Sequence, residues 1–198
     1  FDLIAGTSAG GHIALALTAP GTDGKPRWKA EDLAVFYREA YGRIFENSGL
    51  KILDTLKGLT NERYSAEGIE RVLDEIFGDS KISEALCEVL ITAYEVESGA
   101  PHFFVRSEAR ENPEKDYLMR FVARATSAAP TYFEPAAKIG SDEKLAFIDG
   151  AVFANNPTMC AFAHAMSIGF DEDEMTIISI GTGAVARELQ YEDARHWG

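Results

Sequence analysis

Residues 1–5 form an apolar run that stops at Gly6, and small residues then lead into an apolar stretch from Gly10 to Thr18. An apolar run of strand length, a glycine turn and an apolar run of helix length predict strand, tight turn and helix. Between Glu31 and Phe45 the apolar residues fall at Leu33, Phe36, Tyr37, Ala40, Tyr41, Ile44 and Phe45, a spacing of three and four that lines one helical face. The same spacing returns at Ile69, Val72, Leu73, Ile76 and Phe77, with Ser65 placed to cap that helix and Gly78 to end it. β-Branched and aromatic residues at 88–96 and 102–105, around the turn Ser98-Gly99-Ala100-Pro101, predict two strands. Leu118, Phe121, Val122 and Ala125 predict a short helix, and Leu145-Ala146-Phe147-Ile148 a buried strand ended by Asp149-Gly150. A helix is expected after Pro157, and a last strand at Thr176-Ile177-Ile178-Ser179-Ile180, closed by Gly181-Thr182-Gly183. Apolar strands alternating with helices imply an α/β domain with a largely parallel sheet covered on both faces. Residues 20–26 are a loop by composition. The stretches 20–29 and 47–64 read equally as surface loops or as a lid or membrane-facing cap.

Charge narrows the function classes. The 198 residues carry 19 Lys and Arg against 32 Asp and Glu, a formal net charge of −13. Such a surface repels phosphate backbones, which argues against nucleic-acid binding and against electrostatic docking on anionic lipid. Neutral lipid substrates and apolar insertion remain open. Cys87 and Cys160 sit in apolar surroundings without Cys-x-x-Cys spacing and read as buried free thiols, which suits an intracellular setting. No apolar run reaches the roughly 18 residues of a membrane span. The chain opens inside a strand and closes without a polar tail, which reads as a single domain over residues 1–198, incomplete at both ends.

Gly6-Thr7-Ser8-Ala9-Gly10 is a G-x-S-x-G pentapeptide set between the first strand and the first helix. A tight strand-to-helix turn strains the central serine and lifts its hydroxyl off the sheet. Gly6 and Gly10 are expected to be required because side chains there would strike the neighbouring strand and helix. The Ala9 amide, at the helix start, is a candidate oxyanion donor. A glycine-rich turn with an incidental serine is the plain alternative. A phosphate loop is not, since both G-x-G-x-x-G and the Gly-Lys-Ser/Thr ending are missing. The serine needs a base. His12, His102, His164 and His196 each lack a supporting motif; His12 is expected to point away from Ser8. Asp149 ends a strand, where α/β sheets collect reactive groups, although Asp-Gly is also an ordinary turn pair.

Four segments together resemble the patatin-like phospholipases in order and spacing: Gly6-Thr7-Ser8-Ala9-Gly10-Gly11, Ala125-Thr126-Ser127-Ala128-Ala129-Pro130-Thr131-Tyr132-Phe133, Asp149-Gly150-Ala151-Val152-Phe153-Ala154-Asn155-Asn156-Pro157 and Ser179-Ile180-Gly181-Thr182-Gly183. The resemblance covers nearly the whole chain and implies a three-layer α/β fold. It also implies a Ser–Asp dyad, with Ser8 as nucleophile and Asp149, in Asp149-Gly150-Ala151, as general base. The implied reaction is lipid acyl hydrolysis through an acyl-enzyme, without calcium or any other metal and without a cofactor. The implied partner is a lipid ester, such as a phospholipid, lysophospholipid or acylglycerol; together with the thiol reading and the lack of a visible leader, this gives an expected cytoplasmic location with peripheral membrane contact. The glycine-rich oxyanion segment of the family does not occur here, so this polypeptide alone is expected to be weakly active or inactive. Oligomeric state stays open. Two rivals remain: a Ser–His–Asp α/β-hydrolase, and a catalytically silent binding or scaffold protein. Phe103, Phe104, Phe121, Tyr132, Phe133 and Phe153 are candidates for an acyl pocket or for plain core, and Asn155 and Asn156 for bonding near the Asp149 loop. Thr126 to Pro130 reads as packing and turn.

Overall fold

The computed structural model describes residues 1–45, 66–139 and 144–183. Strand β1 (Leu3–Gly6) runs into helix α1 (Ala9–Thr18), and helices α2 (Ala30–Phe45) and α3 (Ala66–Phe77) follow. Strands β2 (Glu88–Glu95) and β3 (Ala100–Val105) form a hairpin that leads to the short helix α4 (Arg106–Glu111) and to α5 (Met119–Thr126). Strands β4 (Ala136–Ile139) and β5 (Lys144–Asp149) precede the one-turn helix α6 (Ala151–Ala154) and α7 (Thr158–Ser167). The helical spacings hold: Leu33, Ala40, Ile69, Val72, Leu73, Ile76 and Phe77 are all buried in one core. Gly78 ends α3 at φ 52°, a left-handed turn that suits glycine. Ser65, the stretch 47–64 and His196 lie outside the described residues, as do the side chains of Tyr41, Ile44 and Phe45.

The α/β class and the flanking helices are as expected, but the described pairings are mixed rather than mainly parallel. β1 pairs with β2 in parallel, whereas β2–β3, β2–β5 and β4–β5 are antiparallel. Short links make β2–β3 and β4–β5 antiparallel, whereas the parallel pair β1–β2 has α1, α2 and α3 between its strands. Apolar periodicity does not encode direction.

β2 is the hub. Its Val89, Ile91 and Ala93 face the main core, packed by α1, α3 and α5. Thr92 and Tyr94, on the opposite face, meet the α6 region, where Tyr94 lies 6.4 Å from Phe153. One edge of β2 is occupied by β3 from Leu90 to Glu95. The other edge is shared: β1 fills Glu88 to Ile91, and β5, running the opposite way, fills Ala93 to Glu95. The two strands therefore run toward each other and stop with only Thr92 between them.

The sequence pattern misplaces three features. The expected strand at 176–180 is not a strand among the described residues, and Ile177, Ile178 and Ile180 are exposed. The turn after β2 falls at 96–99, where the Glu95 carboxylate accepts the Glu97 and Ser98 N–H groups. The loop at 20–29 is fixed to the end of α3, Arg27 donating to the Ile76 and Phe77 carbonyls and Trp28 to Ile76. It thus sits at the far end of α1 from Ser8, roughly 15 Å away, and is not a lid over that serine.

Candidate active site

The turn after β1 is tight at Gly6. A Cβ there would overlap the Gly10 carbonyl and lie 2.6 Å from the Gly11 nitrogen. Ser8 takes φ 56° and ψ −127°, a left-handed conformation that costs a non-glycine residue on the order of 1–3 kcal/mol. Local bonds hold it. The Ser8 N–H donates to the Thr126 hydroxyl at 2.9 Å, and the Ser8 carbonyl accepts the Gly11 N–H at 2.9 Å and the His12 N–H at 3.2 Å. Gly10 contradicts its expectation, for a Cβ there meets nothing within 4 Å among the described residues. Its Cα faces outward on the exposed first turn of α1. The close approach belongs instead to Gly11, whose Cβ would sit 2.7 Å from Thr126 Cγ2. Ala9 is exposed, and its N–H has no backbone partner among the described residues.

Asp149 closes β5 opposite Ala93, and its N–H donates to the Ala128 carbonyl at 3.0 Å. The residue is 3% exposed. Burial pushes its carboxyl pKa above the ordinary value; hydrogen bonding from the Ser8 side chain, and then from the Ala151 N–H at 2.8 Å, opposes that rise. The Ser8 side chain thus lies close enough to the Asp149 carboxyl to lower its pKa. They meet in the middle of a β2 edge, where two strand ends face each other, rather than side by side at the carboxyl rim of a parallel sheet. Gly150 must be glycine, because a Cβ there would overlap the Thr92 hydroxyl and lie 2.6 Å from the Thr92 carbonyl carbon.

The described histidines are engaged elsewhere. His12 is buried against Tyr37, and its Nε2 bonds the Ala123 carbonyl at 3.0 Å. A carbonyl only accepts, so Nε2 carries the proton, and burial lowers the pKa to about 4. His102 packs between Phe104 and Phe147, and burial lowers its pKa as well. His164 bonds Glu88 at 3.0 Å, at the start of β2 opposite Leu3. That level is three strand residues, about 10 Å, before the end of β1, and Ser8 lies beyond that end. Ser127 returns its hydroxyl to the Ala123 carbonyl at 2.8 Å inside its own helix and is not a rival nucleophile.

Other residues divide between core and surface. Phe104 and Phe121 join Phe147 in the core, Phe133 lies under the Arg124 guanidinium, and Phe103 and Phe153 form an edge-to-face pair. Tyr132 is exposed. Asn156 accepts the Thr158 N–H at 3.0 Å and so bonds the start of α7 rather than the Asp149 loop. Cys87 and Cys160 are free and half-buried. An open groove of about 760 Å3 lies between α3 and α5, lined by charged residues such as Glu70, Asp74 and Arg120; neither Ser8 nor Asp149 borders it. Among the described residues no three metal-ligating side chains converge, and no helix is long and apolar enough to cross a membrane.

Three threonines belong to this site that sequence reasoning missed or read as packing: Thr7, Thr92 and Thr126. Each sits in an apolar or small-residue setting, where threonine looks like a β-branched filler. Thr7 and Thr126 lie inside two of the four resembling segments, and Thr92 lies in none of them.

The family described as patatin-like phospholipase matches residues 1–162. Patatin-like protein 2 of Oryza sativa subsp. indica is 32% identical over 222 aligned positions, covering 100% of this chain and 55% of that protein. Patatin-like protein 4 of Arabidopsis thaliana is 33% identical, with 100% and 53% covered. A Solanum tuberosum relative named "Probable inactive patatin-3-Kuras 1" is 30% identical, with 100% and 56% covered. The chain spans about half the length of these curated relatives. It belongs to the patatin-like phospholipase family.

Proposed function

We propose that the protein is a lipid acyl hydrolase in which Ser8 is the nucleophile and Asp149 the general base. One observation supports this most: a strained Ser8 at the head of a helix and the buried Asp149 carboxyl, which the Ser8 side chain lies near enough to influence, leave the sheet on either side of Thr92. In this reading Asp149 takes the Ser8 proton as Oγ attacks an ester carbonyl. The Ala9 N–H and the positive end of α1 stabilise the resulting oxyanion. Collapse breaks the C–O bond, Asp149 returns the proton to the departing alcohol, and an acyl-enzyme remains. Water, deprotonated by Asp149, then attacks the acyl carbon; the ester bond to Ser8 Oγ breaks, Asp149 returns the proton to Oγ, and the fatty acid leaves. Phospholipids, lysophospholipids and acylglycerols fit as substrates, reached by peripheral contact with a membrane. The two free thiols favour an intracellular compartment.

The test is labelling of the full natural chain by a fluorophosphonate together with hydrolysis of a lipid ester. Both are expected to vanish in Ser8→Ala, and hydrolysis in Asp149→Asn. The name of the Solanum tuberosum relative makes the silent alternative concrete, and an unlabelled, correctly folded wild-type protein would favour it.

A further inference from the structure

Between the ends of β1 and β5 stands Thr92, fully buried, in a strand otherwise apolar from Val89 to Ala93. Valine would fill the same shape, and a buried hydroxyl is costly unless it is bonded. Here it is bonded. The Thr92 and Thr7 hydroxyl oxygens are 2.7 Å apart, and Thr7 Oγ1 also lies 2.8 Å from the Ala154 carbonyl. The carbonyl can only accept, so the single Thr7 proton goes there and Thr92 donates to Thr7. The result is a directed chain from Thr92 to Thr7 to Ala154. Thr7 immediately precedes Ser8. Ala154 ends α6, the turn of helix whose first N–H, from Ala151, holds the Asp149 carboxylate. Thr92 also fills the space directly beneath Gly150.

Resting on the Ser8–Asp149 reading above, we infer that Thr7 and Thr92 are positioning residues whose paired hydroxyls, anchored on the Ala154 carbonyl, set the spacing between nucleophile and base. The β1–β5 junction has no ladder bond of its own to fix that spacing, because the two strands abut end to end and do not pair. The hydroxyl chain spans the gap where backbone pairing cannot.

The experiment uses the full natural chain, with p-nitrophenyl butyrate hydrolysis and fluorophosphonate labelling as readouts and circular dichroism as the check on folding. Thr7→Val and Thr92→Val are expected to lower kcat by roughly 10- to 100-fold, since a small misplacement costs that much, with KM nearly unchanged. The double Val variant should lose about as much as either single one, because both break one linkage. Thr7→Ser and Thr92→Ser, which keep the hydroxyl, should retain most of the activity. Val variants with wild-type kcat, or Ser variants as impaired as the Val ones, would overturn the inference. Ser8→Ala separates the two levels. If it hydrolyses normally, the dyad reading and this inference fail together; if it is dead while the Val variants are unimpaired, only the positioning role fails.

Discussion

Gly6 and Asp149 end two strands that run toward each other along one edge of β2, Gly6 opposite Ile91 and Asp149 opposite Ala93. The next residue on each chain must leave the sheet, and both leave it over Thr92. Convergence of Ser8 and Asp149 is therefore a consequence of strand length and register. Lengthening either strand by one paired residue would consume the gap in which the two side chains meet.

Asp149→Asn should abolish turnover by at least about 100-fold, as removal of a general base does, while leaving the fold more stable at neutral pH. The sign follows from burial: the folded carboxyl holds its proton more tightly than the unfolded one, so stability declines as pH rises from the ordinary carboxyl value through the raised one. Asparagine removes that decline and still accepts the Ala151 N–H. Urea unfolding should give a gain at pH 7 that is smaller at pH 4. A loss of stability at pH 7 would contradict it.

Because Asp149 must be ionised to accept a proton, the acid limb of kcat/KM should fall above the ordinary aspartate range near pH 3.9. A pH–rate profile between pH 3 and 9 reads this directly. An acid limb at or below the ordinary value would mean that burial does not govern the base.

Gly6→Ala and Gly10→Ala should differ sharply despite their symmetric places in the motif. The first drives a methyl into backbone and is expected to cost at least about 2 kcal/mol together with labelling of Ser8. The second meets open space on a helix and is expected to be neutral or to stabilise by up to about 1 kcal/mol. Thermal midpoints of the two variants decide the matter.

His12 stays neutral in the fold because burial lowers its pKa from 6.5 to about 4. Its contribution is present above the unfolded value and is lost as pH falls from about 6.5 toward 4, amounting to roughly 3 kcal/mol. Denaturant unfolding across that window should show the loss. His12→Gln, which can still donate to the Ala123 carbonyl, should flatten it.

Much of the fold was legible because its period was strong. The helices α1, α2, α3, α5 and α7 and the strands β1, β2, β3 and β5 follow from apolar spacing and turn residues. β4 does not, since Ala136-Ala137-Lys138-Ile139 has little β-propensity of its own and becomes a strand only by pairing with β5. Helix α4, Arg-Ser-Glu-Ala-Arg-Glu, buries only Ala109 and so has no apolar stripe to read. The isoleucines at 177, 178 and 180 carry a strand signal without a described partner. Of the site, the strained turn and the strand-end aspartate were readable from local chemistry. The threonine hydroxyls were not, because what they do depends on which segments the register brings beside them.

The bond from the Ser8 amide to Thr126 spans 118 residues of sequence. A ribosome that has released the chain only as far as residue 100 has made the serine, but neither its clasp nor the carboxylate of Asp149. Until both have emerged and docked, the hydroxyl is an ordinary alcohol. On the proposed reading a nascent or partly melted chain cannot yet attack a lipid ester, and reactivity arrives only with the finished fold.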